Sequence, residues 1–132
     1  MSPTQRTLRE LKNQGRICAV VEKWQIIPGH TGGGIRRDLF GIIDIIALDP
    51  KTGVVGVQAC GSDFAAHWRK ITVDKAQETT DWLSTPGTSL ELYAWRKVKV
   101  KRGGKAMIWQ PRIVEITLDD LFDDGWTSKD GD

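Results

Sequence analysis

The sequence lacks the features that mark membrane and secreted proteins. It contains no run of about 18 or more apolar residues, so no segment is predicted to span a membrane. Residues 1–15, MSPTQRTLRELKNQG, contain no apolar signal core, and a cytoplasmic location is therefore expected. With 39% hydrophobic and 27% charged residues, the chain has the composition of a folded domain rather than of a disordered segment.

Cysteine and histidine are also scarce. Cys18 and Cys60 stand far apart, no CxxC pair occurs, and His30 and His67 are not at zinc-finger spacing. The sequence therefore does not predict a structural zinc site, and we expect two buried, reduced thiols in a cytosolic protein. At 132 residues the chain is long enough for one domain with its own core.

Charge is distributed unevenly along the chain. Residues 115–132 carry seven of the 17 acidic residues but one of the 19 basic residues, so the preceding part is strongly basic. A basic body with an acidic tail suits a partner made of phosphates. We predict a single domain over residues 1–126 and an acidic flexible tail over residues 127–132.

Hydrophobic periodicity and turn residues predict the elements. Helices are expected at 4–14, with Thr4 as cap, at 62–71 and at 74–84, with a helical turn at 118–122. Strands are expected at 16–27, 41–48, 54–60, 89–101 and 106–117, and a glycine-rich loop spans 28–34. The order predicts an α/β fold with one domain, in which a central mixed β-sheet is flanked by helices.

One residue is out of place in the apolar segment 41–48. Asp44 stands among four isoleucines, and burying an unpaired carboxylate is very costly. A charge kept there is expected to be paired with a base, hydrogen-bonded or bound to a metal. Two interpretations stay open: an ion pair with Arg36 or Arg37, and a metal ligand.

The neighbouring strand favours the metal. Gln58 is a second polar residue in an apolar strand, one hairpin arm away from Asp44. Two oxygen-bearing side chains on adjacent strands can hold a hard cation such as Mg²⁺, which binds through one or two protein oxygens plus substrate phosphate. Glu10, Glu22 and Asp38 are candidates for completing the shell.

Over residues 5 to 80 the sequence resembles the PD-(D/E)XK nuclease superfamily, most nearly its small Holliday-junction-resolvase-like members. The helix with Glu10, the strand 41–47 and the strand 56–60 carry this resemblance. It implies a restriction-endonuclease-like αβββαβ core and a Mg²⁺- or Mn²⁺-dependent endonuclease acting on DNA, with branched DNA among the candidate substrates. It also implies that Asp44, Gln58 and Glu10 are the metal ligands, and that the protein is a homodimer, because small resolvases pair to cut two strands symmetrically.

The family places a lysine two residues after the second ligand, where it helps to position or activate the attacking water. Here that position is Cys60, and a thiol cannot replace an ammonium group. Some members supply the lysine from the following helix, where this sequence has Lys70. The resemblance thus implies the catalytic set Asp44, Gln58 and Lys70, while an ordinary exposed lysine is the alternative for Lys70.

A basic segment follows at residues 96–105, with six basic residues and no acidic one. At strand period its lysines 97, 99 and 101 point to one side, and such spaced cations suit a phosphate backbone. The alternative is protection of an edge strand from edge-to-edge pairing. The predicted nucleic-acid-binding residues are Lys97, Lys99, Lys101, Arg102, Arg36 and Arg37.

Three functions therefore stay open. The first is a metal-dependent nuclease acting on DNA, and the second is a catalytically inactive nucleic-acid-binding module with the same fold. The third is a protein-interaction or assembly subunit that uses the acidic tail. Metal-dependent cleavage separates the first from the second, and salt-dependent DNA binding separates the second from the third.

Overall fold

The computed structural model describes residues 1–26, 28–29 and 33–121, so the predicted tail 127–132 and the centre of the glycine-rich loop lie outside the described residues. The helices are α1 (Pro3–Asn13), α2 (Phe64–Arg69), α3 (Ala76–Ser84) and α4 (Leu118–Leu121). The strands are β1 (Ile17–Val20), β2 (Lys23–Ile26), β3 (Gly34–Arg37), β4 (Ile45–Asp49), β5 (Gly53–Cys60), β6 (Thr88–Lys99) and β7 (Met107–Ile116). A π-helical turn, Lys70–Asp74, joins α2 to α3.

The main sheet has five strands in the order β1-β4-β5-β6-β7, and β2 and β3 form a separate two-stranded sheet. Strands β5 and β6 run parallel, whereas the other neighbours in the main sheet are antiparallel. The predicted mixed sheet flanked by helices is therefore confirmed. The order α1, β1, β4, β5, helices, β6 is compatible with a restriction-endonuclease-like core.

Each face of the sheet has its own hydrophobic core. Helix α1 covers one face and buries Leu11 against Val55, Val57 and Tyr93. On the other face, buried side chains of the α2–α3 segment pack on Ile42, Ile43 and the even-numbered residues of β6. The two faces of β5 meet these two different cores, because side chains alternate along a strand: Val55 and Val57 face one core and Cys60 faces the other.

The N-terminal half differs from the sequence prediction in several places, one of which is the unpredicted strand β3. The strand predicted at 16–27 breaks after Val20, and its two parts join different sheets. The break arises because the backbone N–H groups of Val21 and Glu22 both donate to the carbonyl oxygen of Asp44, at 2.8 and 3.3 Å. Helix α1 also begins earlier than predicted, with Ser2 instead of Thr4 as its cap, since the Ser2 hydroxyl accepts from Gln5 N–H at 3.1 Å.

The strand predicted at 41–48 is shorter than expected. Phe40 and Gly41 have φ angles of 57° and 77°, which turn the chain, and β4 begins at Ile45. Asp44 therefore lies at the entrance of the strand rather than at its centre. This position lets a carboxylate sit at the end of the sheet while the isoleucines around it fill the core.

The second half follows the sequence prediction more closely. The hairpin of β6 and β7, the α2–α3 segment and the turn α4 all form where they are expected, with the π-helical turn as the unpredicted feature. No helix among the described residues is long and apolar enough to cross a membrane.

Candidate metal centre

Three carboxylates meet at the end of the main sheet. Glu22 lies between β1 and β2, Asp38 follows β3, and Asp44 precedes β4. One carboxylate oxygen from each residue lies within 4.8 Å of the corresponding oxygens of the other two. Three acidic side chains this close repel each other unless a proton or a cation lies among them.

Asp44 is the buried member of this carboxylate cluster, with an exposed fraction of 4%. Its Oδ2 accepts a hydrogen bond from Ala59 N–H at 2.9 Å. Burial, followed by the hydrogen bond with Asp38 and the charges of Asp38 and Glu22, raises the pKa of Asp44 to about 8. Without a cation, Asp44 therefore carries a proton through most of the acidic and neutral range.

The ion pair considered from the sequence does not form. Within the described residues Asp44 is paired with no arginine, and Arg36 instead lies 3.7 Å from the Glu22 carboxylate. Arg36 and Arg37 are exposed on β3, with their side chains at the wall of the cleft that contains Asp44. These two arginines are thus placed to meet a ligand of the cleft rather than to neutralise Asp44.

Asp38 is held by Lys70. The Lys70 ammonium lies 3.1 Å from Asp38 Oδ2, and it reaches this position from the first residue of the π-helical turn. Burial on its own would raise the pKa of Asp38. The hydrogen bonds with Asp44, Gln58 and Lys70, together with the charge of Lys70, outweigh that effect and lower the pKa of Asp38 below its usual value.

Gln58 lies beside the cluster, but its amide nitrogen, rather than the predicted amide oxygen, faces the carboxylates. Its Oε1 accepts from Lys70 Nζ at 2.6 Å, and its Nε2 donates to the Ile42 carbonyl at 2.9 Å and to Asp38 Oδ2 at 3.1 Å. An ammonium must donate and a carbonyl must accept, so both ends of the amide are fixed. The prediction that Gln58 offers its oxygen to a metal shared with Asp44 is wrong, because the amide nitrogen faces the acids.

Glu10 is not brought to the cluster. It lies on α1, where its carboxylate accepts from Gln14 at 3.2 Å, and Gln14 also contacts the Tyr93 hydroxyl. The buried residues Thr7 and Leu11 turn α1 so that Glu10 faces a hollow lined by Trp95 and Trp109. Glu10 is therefore wrong as a ligand, whereas Glu22 and Asp38 stand where ligands are needed.

The carboxylate cluster opens into a cleft of about 1070 Å³. Lys70 and Lys75 line it together with Cys60, Asp63 and His67. Burial raises the pKa of the Cys60 thiol to about 12, with the charges of Asp63 and Asp44 adding to the shift. Cys60 thus cannot supply the positive charge of a motif lysine, whereas the Lys70 ammonium lies among the acids, 3.1 Å from Asp38 Oδ2.

The basic hairpin tip, residues 96–110, extends beyond the rest of the sheet. Strand β5 pairs with β6 only as far as Ala94, so Arg96 to Lys99 pair with β7 alone. Lys97 and Lys99 share one face, as predicted, whereas Lys101 and Arg102 lie in the turn beyond the strand. All four of these basic side chains are exposed.

An exposed tryptophan accompanies these cations. Trp109 is 42% exposed, and the Arg6 guanidinium and the Lys97 ammonium lie 3.9 and 5.6 Å from its ring centroid. A hollow lined by these three residues shares Pro3 and Gly61 with the wall of the acidic cleft. The basic hairpin tip and the carboxylate cluster are therefore connected by one continuous surface.

Comparison with known proteins adds no relative. No family model, no curated protein and no solved structure matches the chain.

The sequence did not single out Asp63 and His67 as a pair. They lie four residues apart, Asp63 directly before α2 and His67 within it, with His67 Nε2 3.1 Å from Asp63 Oδ2. The i, i+4 spacing was the available signal, since such residues are neighbours on a helix surface.

Proposed function

We propose that the protein is a metal-dependent endonuclease that cuts DNA, with branched DNA among its candidate substrates. The observation that carries this proposal is the cluster of Glu22, Asp38 and Asp44, with the Lys70 ammonium 3.1 Å from Asp38. Three carboxylates and one lysine around an open cleft can hold a metal ion and position a water for phosphodiester hydrolysis.

The donor set fits a hard divalent cation. Mg²⁺ and Mn²⁺ prefer carboxylate oxygens, and they retain positions for water and substrate phosphate. The raised pKa of Asp44 is consistent with this fit, because a cation can replace the proton that the acids share. When bound, such a cation polarises the scissile phosphate and lowers the pKa of the attacking water.

The side chains of the chain itself have separate roles in this proposal. Lys70 holds a positive charge and N–H donors at the cleft, where they can face a phosphate oxygen or orient a water. Gln58 positions Lys70, because its oxygen accepts from the ammonium at 2.6 Å while the Ile42 carbonyl fixes its other end. Ala59 N–H orients the Asp44 carboxylate.

Two basic surfaces support DNA as the substrate. Arg36 and Arg37 line the acidic cleft, and the basic hairpin tip continues from it through the hollow at Pro3 and Gly61. A polyanion on this path would neutralise arginines and lysines while it presents one phosphate to the carboxylate cluster. The homodimer stays a prediction from the family resemblance, to be checked by sedimentation equilibrium.

The test replaces the buried acid. Asp44→Asn resembles the protonated form of Asp44, because its oxygen can accept from Ala59 and its NH₂ can donate to Asp38, so we expect the fold to persist. Cleavage of plasmid and four-way-junction DNA in Mn²⁺ should fall about 10³-fold, since a metal ion contributes several kcal/mol to the transition state. Calorimetry should show weaker Mn²⁺ binding by the variant.

Glu10→Gln is the matched control, because it also removes one carboxylate but lies outside the cluster. It should keep both cleavage and Mn²⁺ affinity. Equal Mn²⁺ affinity in Asp44→Asn and the unaltered protein would refute the metal assignment.

A catalytically inactive DNA-binding module is the second candidate. The amide at position 58, turned with its nitrogen towards the acids, and the thiol at position 60 favour it, because neither supplies a ligand or a charge to the cluster. Salt-dependent DNA binding without cleavage in Mg²⁺ or Mn²⁺ would support this candidate over the nuclease.

A further inference from the structure

A second cluster of donors lies along the same cleft. Cys60 ends β5, Asp63 precedes α2, and His67 lies one turn into that helix. The Cys60 sulfur, an Asp63 oxygen and a His67 ring nitrogen all lie within 4.8 Å of one another. The set combines sulfur, nitrogen and oxygen, unlike the carboxylate cluster, which contains oxygen alone.

The hydrogen bonds of His67 indicate which ring nitrogen carries the proton. Its Nδ1 lies 2.8 Å from Gln58 Oε1, and the Lys70 ammonium and the Ile42 carbonyl fix that atom as an oxygen. Because an amide oxygen can only accept, Nδ1 must carry the ring proton and donate it. In a neutral imidazole this leaves a lone pair on Nε2.

The Nε2 atom faces an anion. Asp63 Oδ2 lies 3.1 Å from it, and two acceptors at this distance repel each other unless a proton or a cation lies between them. The Cys60 side chain completes the site. It is 3% exposed, and within the described residues its sulfur has no hydrogen-bond partner.

We propose that Cys60, Asp63 and His67 bind a zinc-class divalent cation through sulfur, carboxylate oxygen and Nε2, with a fourth position facing the cleft. Zinc accepts this mixture of donors, and sites that keep an open position use three protein ligands. A ligating histidine usually donates its other ring N–H to an oxygen, which is the arrangement of Nδ1 and Gln58 Oε1. When the cation binds, a metal–sulfur bond replaces the Cys60 S–H bond, and the proton leaves to solvent.

The site is separate from the cluster of Glu22, Asp38 and Asp44. Carboxylates alone favour Mg²⁺ and Mn²⁺, whereas thiolate and imidazole favour zinc and cobalt. Gln58 connects the two sites, since its Oε1 accepts from both His67 and Lys70 while its Nε2 donates to Asp38. A cation at Nε2 would hold His67 in the tautomer that donates to Gln58, so occupancy would keep this donor on the amide oxygen that also accepts from Lys70.

Cobalt spectroscopy on the full chain tests the proposal. Reduced protein is titrated with Co²⁺, which replaces zinc and gives a near-ultraviolet charge-transfer band when a thiolate binds it. We expect this band at one cobalt per chain, and its loss when Zn²⁺ is added. Absence of the band in the unaltered protein would overturn the proposal.

The variants are matched to the two cysteines and the two sites. Cys60→Ser should remove the band, whereas Cys18→Ser should keep it, because Cys18 lies on β1 and contacts the Leu8 carbonyl. His67→Gln, at a partly exposed position, should weaken Co²⁺ binding at least tenfold and guards against misfolding of the Cys60 variant. A band that survives in Cys60→Ser would contradict the assignment.

The remaining explanation of the His67–Asp63 contact is an ion pair with a doubly protonated ring. It predicts two ring N–H signals for His67 in nitrogen-15 spectra with Zn²⁺ present, and that result would overturn the proposal. Asp44→Asn should keep the cobalt band while it loses Mn²⁺ binding. Failure of the zinc-class site is therefore distinguishable from failure of the proposed nuclease centre.

Discussion

The carboxylate cluster holds its negative charges close together and partly buried, whereas the basic hairpin tip holds its positive charges apart and exposed to water. Asp44 is buried and hydrogen-bonded to the backbone, and Asp38 is held by Lys70 and Gln58. The lysines of the hairpin tip are exposed where the hairpin extends beyond the end of β5. The first arrangement forces like charges together, and the second spreads them through water.

This difference in burial determines which kind of ligand each region can bind. Repulsion within the cluster is strong because part of it is buried, so one small cation at one place relieves it. The hairpin charges cost little in water, and each gains only when a phosphate displaces its counterions. We therefore expect the cluster to determine chemistry and the hairpin tip to determine salt-dependent affinity.

The strongest test of this division after Asp44→Asn is the lysine among the acids. If Lys70 takes part in proton transfer or water positioning, Lys70→Met should slow cleavage by about 10²- to 10⁴-fold. DNA affinity at fixed salt should change little, because one partly buried lysine contributes one charge. Single-turnover cleavage and fluorescence anisotropy measure the two quantities.

Lys75→Met is the control for this variant. Lys75 lines the same cleft, but its partner is Glu78 at 3.8 Å rather than an acid of the cluster. Equal losses in both variants would mean that general positive charge in the cleft matters and that Lys70 has no special position.

The next test concerns the hairpin tip. Replacing Lys97 and Lys99 together by Gln should lower the slope of log affinity against log salt by about 1.8 on duplex DNA, because each phosphate that a lysine neutralises adds about 0.9 to the slope. The single-turnover rate at saturating protein should stay the same. Binding is measured at several salt concentrations, with light scattering on the same samples.

Lys51→Gln serves as the comparison, because Lys51 is exposed in the turn between β4 and β5, away from the hairpin tip. It should leave the slope unchanged. If the double variant binds DNA normally but aggregates, the lysines protect an edge strand, and the hairpin tip is not part of the DNA-binding surface.

The smallest expected effect is the pH dependence of stability. Burial raises the pKa of Asp44 to about 8, above its value in the unfolded chain, so the folded state holds the proton more tightly. The stability due to this proton is complete below about pH 4 and is lost as pH rises towards 8. Without divalent cations, the melting temperature should therefore fall over this range.

Asp44→Asn should remove the pH dependence of the melting temperature that is due to Asp44. In the unaltered protein at pH 8, Mn²⁺ should restore the melting temperature. Asp44 would not be the titrating group if both proteins lost the same stability between pH 4 and pH 8. Calorimetric scans of the two proteins in EDTA and in Mn²⁺ provide the comparison.

The sequence could identify Asp44 as a site residue because a carboxylate among four isoleucines is a local signal. Its partners were harder to choose. Glu22 reaches the cluster only because the strand breaks where two N–H groups turn towards the Asp44 carbonyl, and this contact spans more than twenty residues. From the residues alone, Glu22, Asp38 and Glu10 were all candidates, and the family resemblance selected Glu10, which the packing of α1 places elsewhere.

The orientation of Gln58 could not be predicted at all. An amide has a donor end and an acceptor end of similar shape, and the choice between them depends on Lys70 and the Ile42 carbonyl, which come from distant parts of the chain. The hairpin of β6 and β7, in contrast, was predicted closely because its alternation and its Gly-Gly turn are local signals.

The single parallel pairing in the main sheet has a consequence for the order in which the molecule folds. Strands β4 and β5 are joined by a short turn, and β6 and β7 form their own hairpin, so both pairs can form within microseconds. Pairing of β5 with β6 must wait until the helical crossover closes, which is the slow kind of contact. Because Lys70 lies on that crossover, its bond to Asp38 links the crossover to the carboxylate cluster.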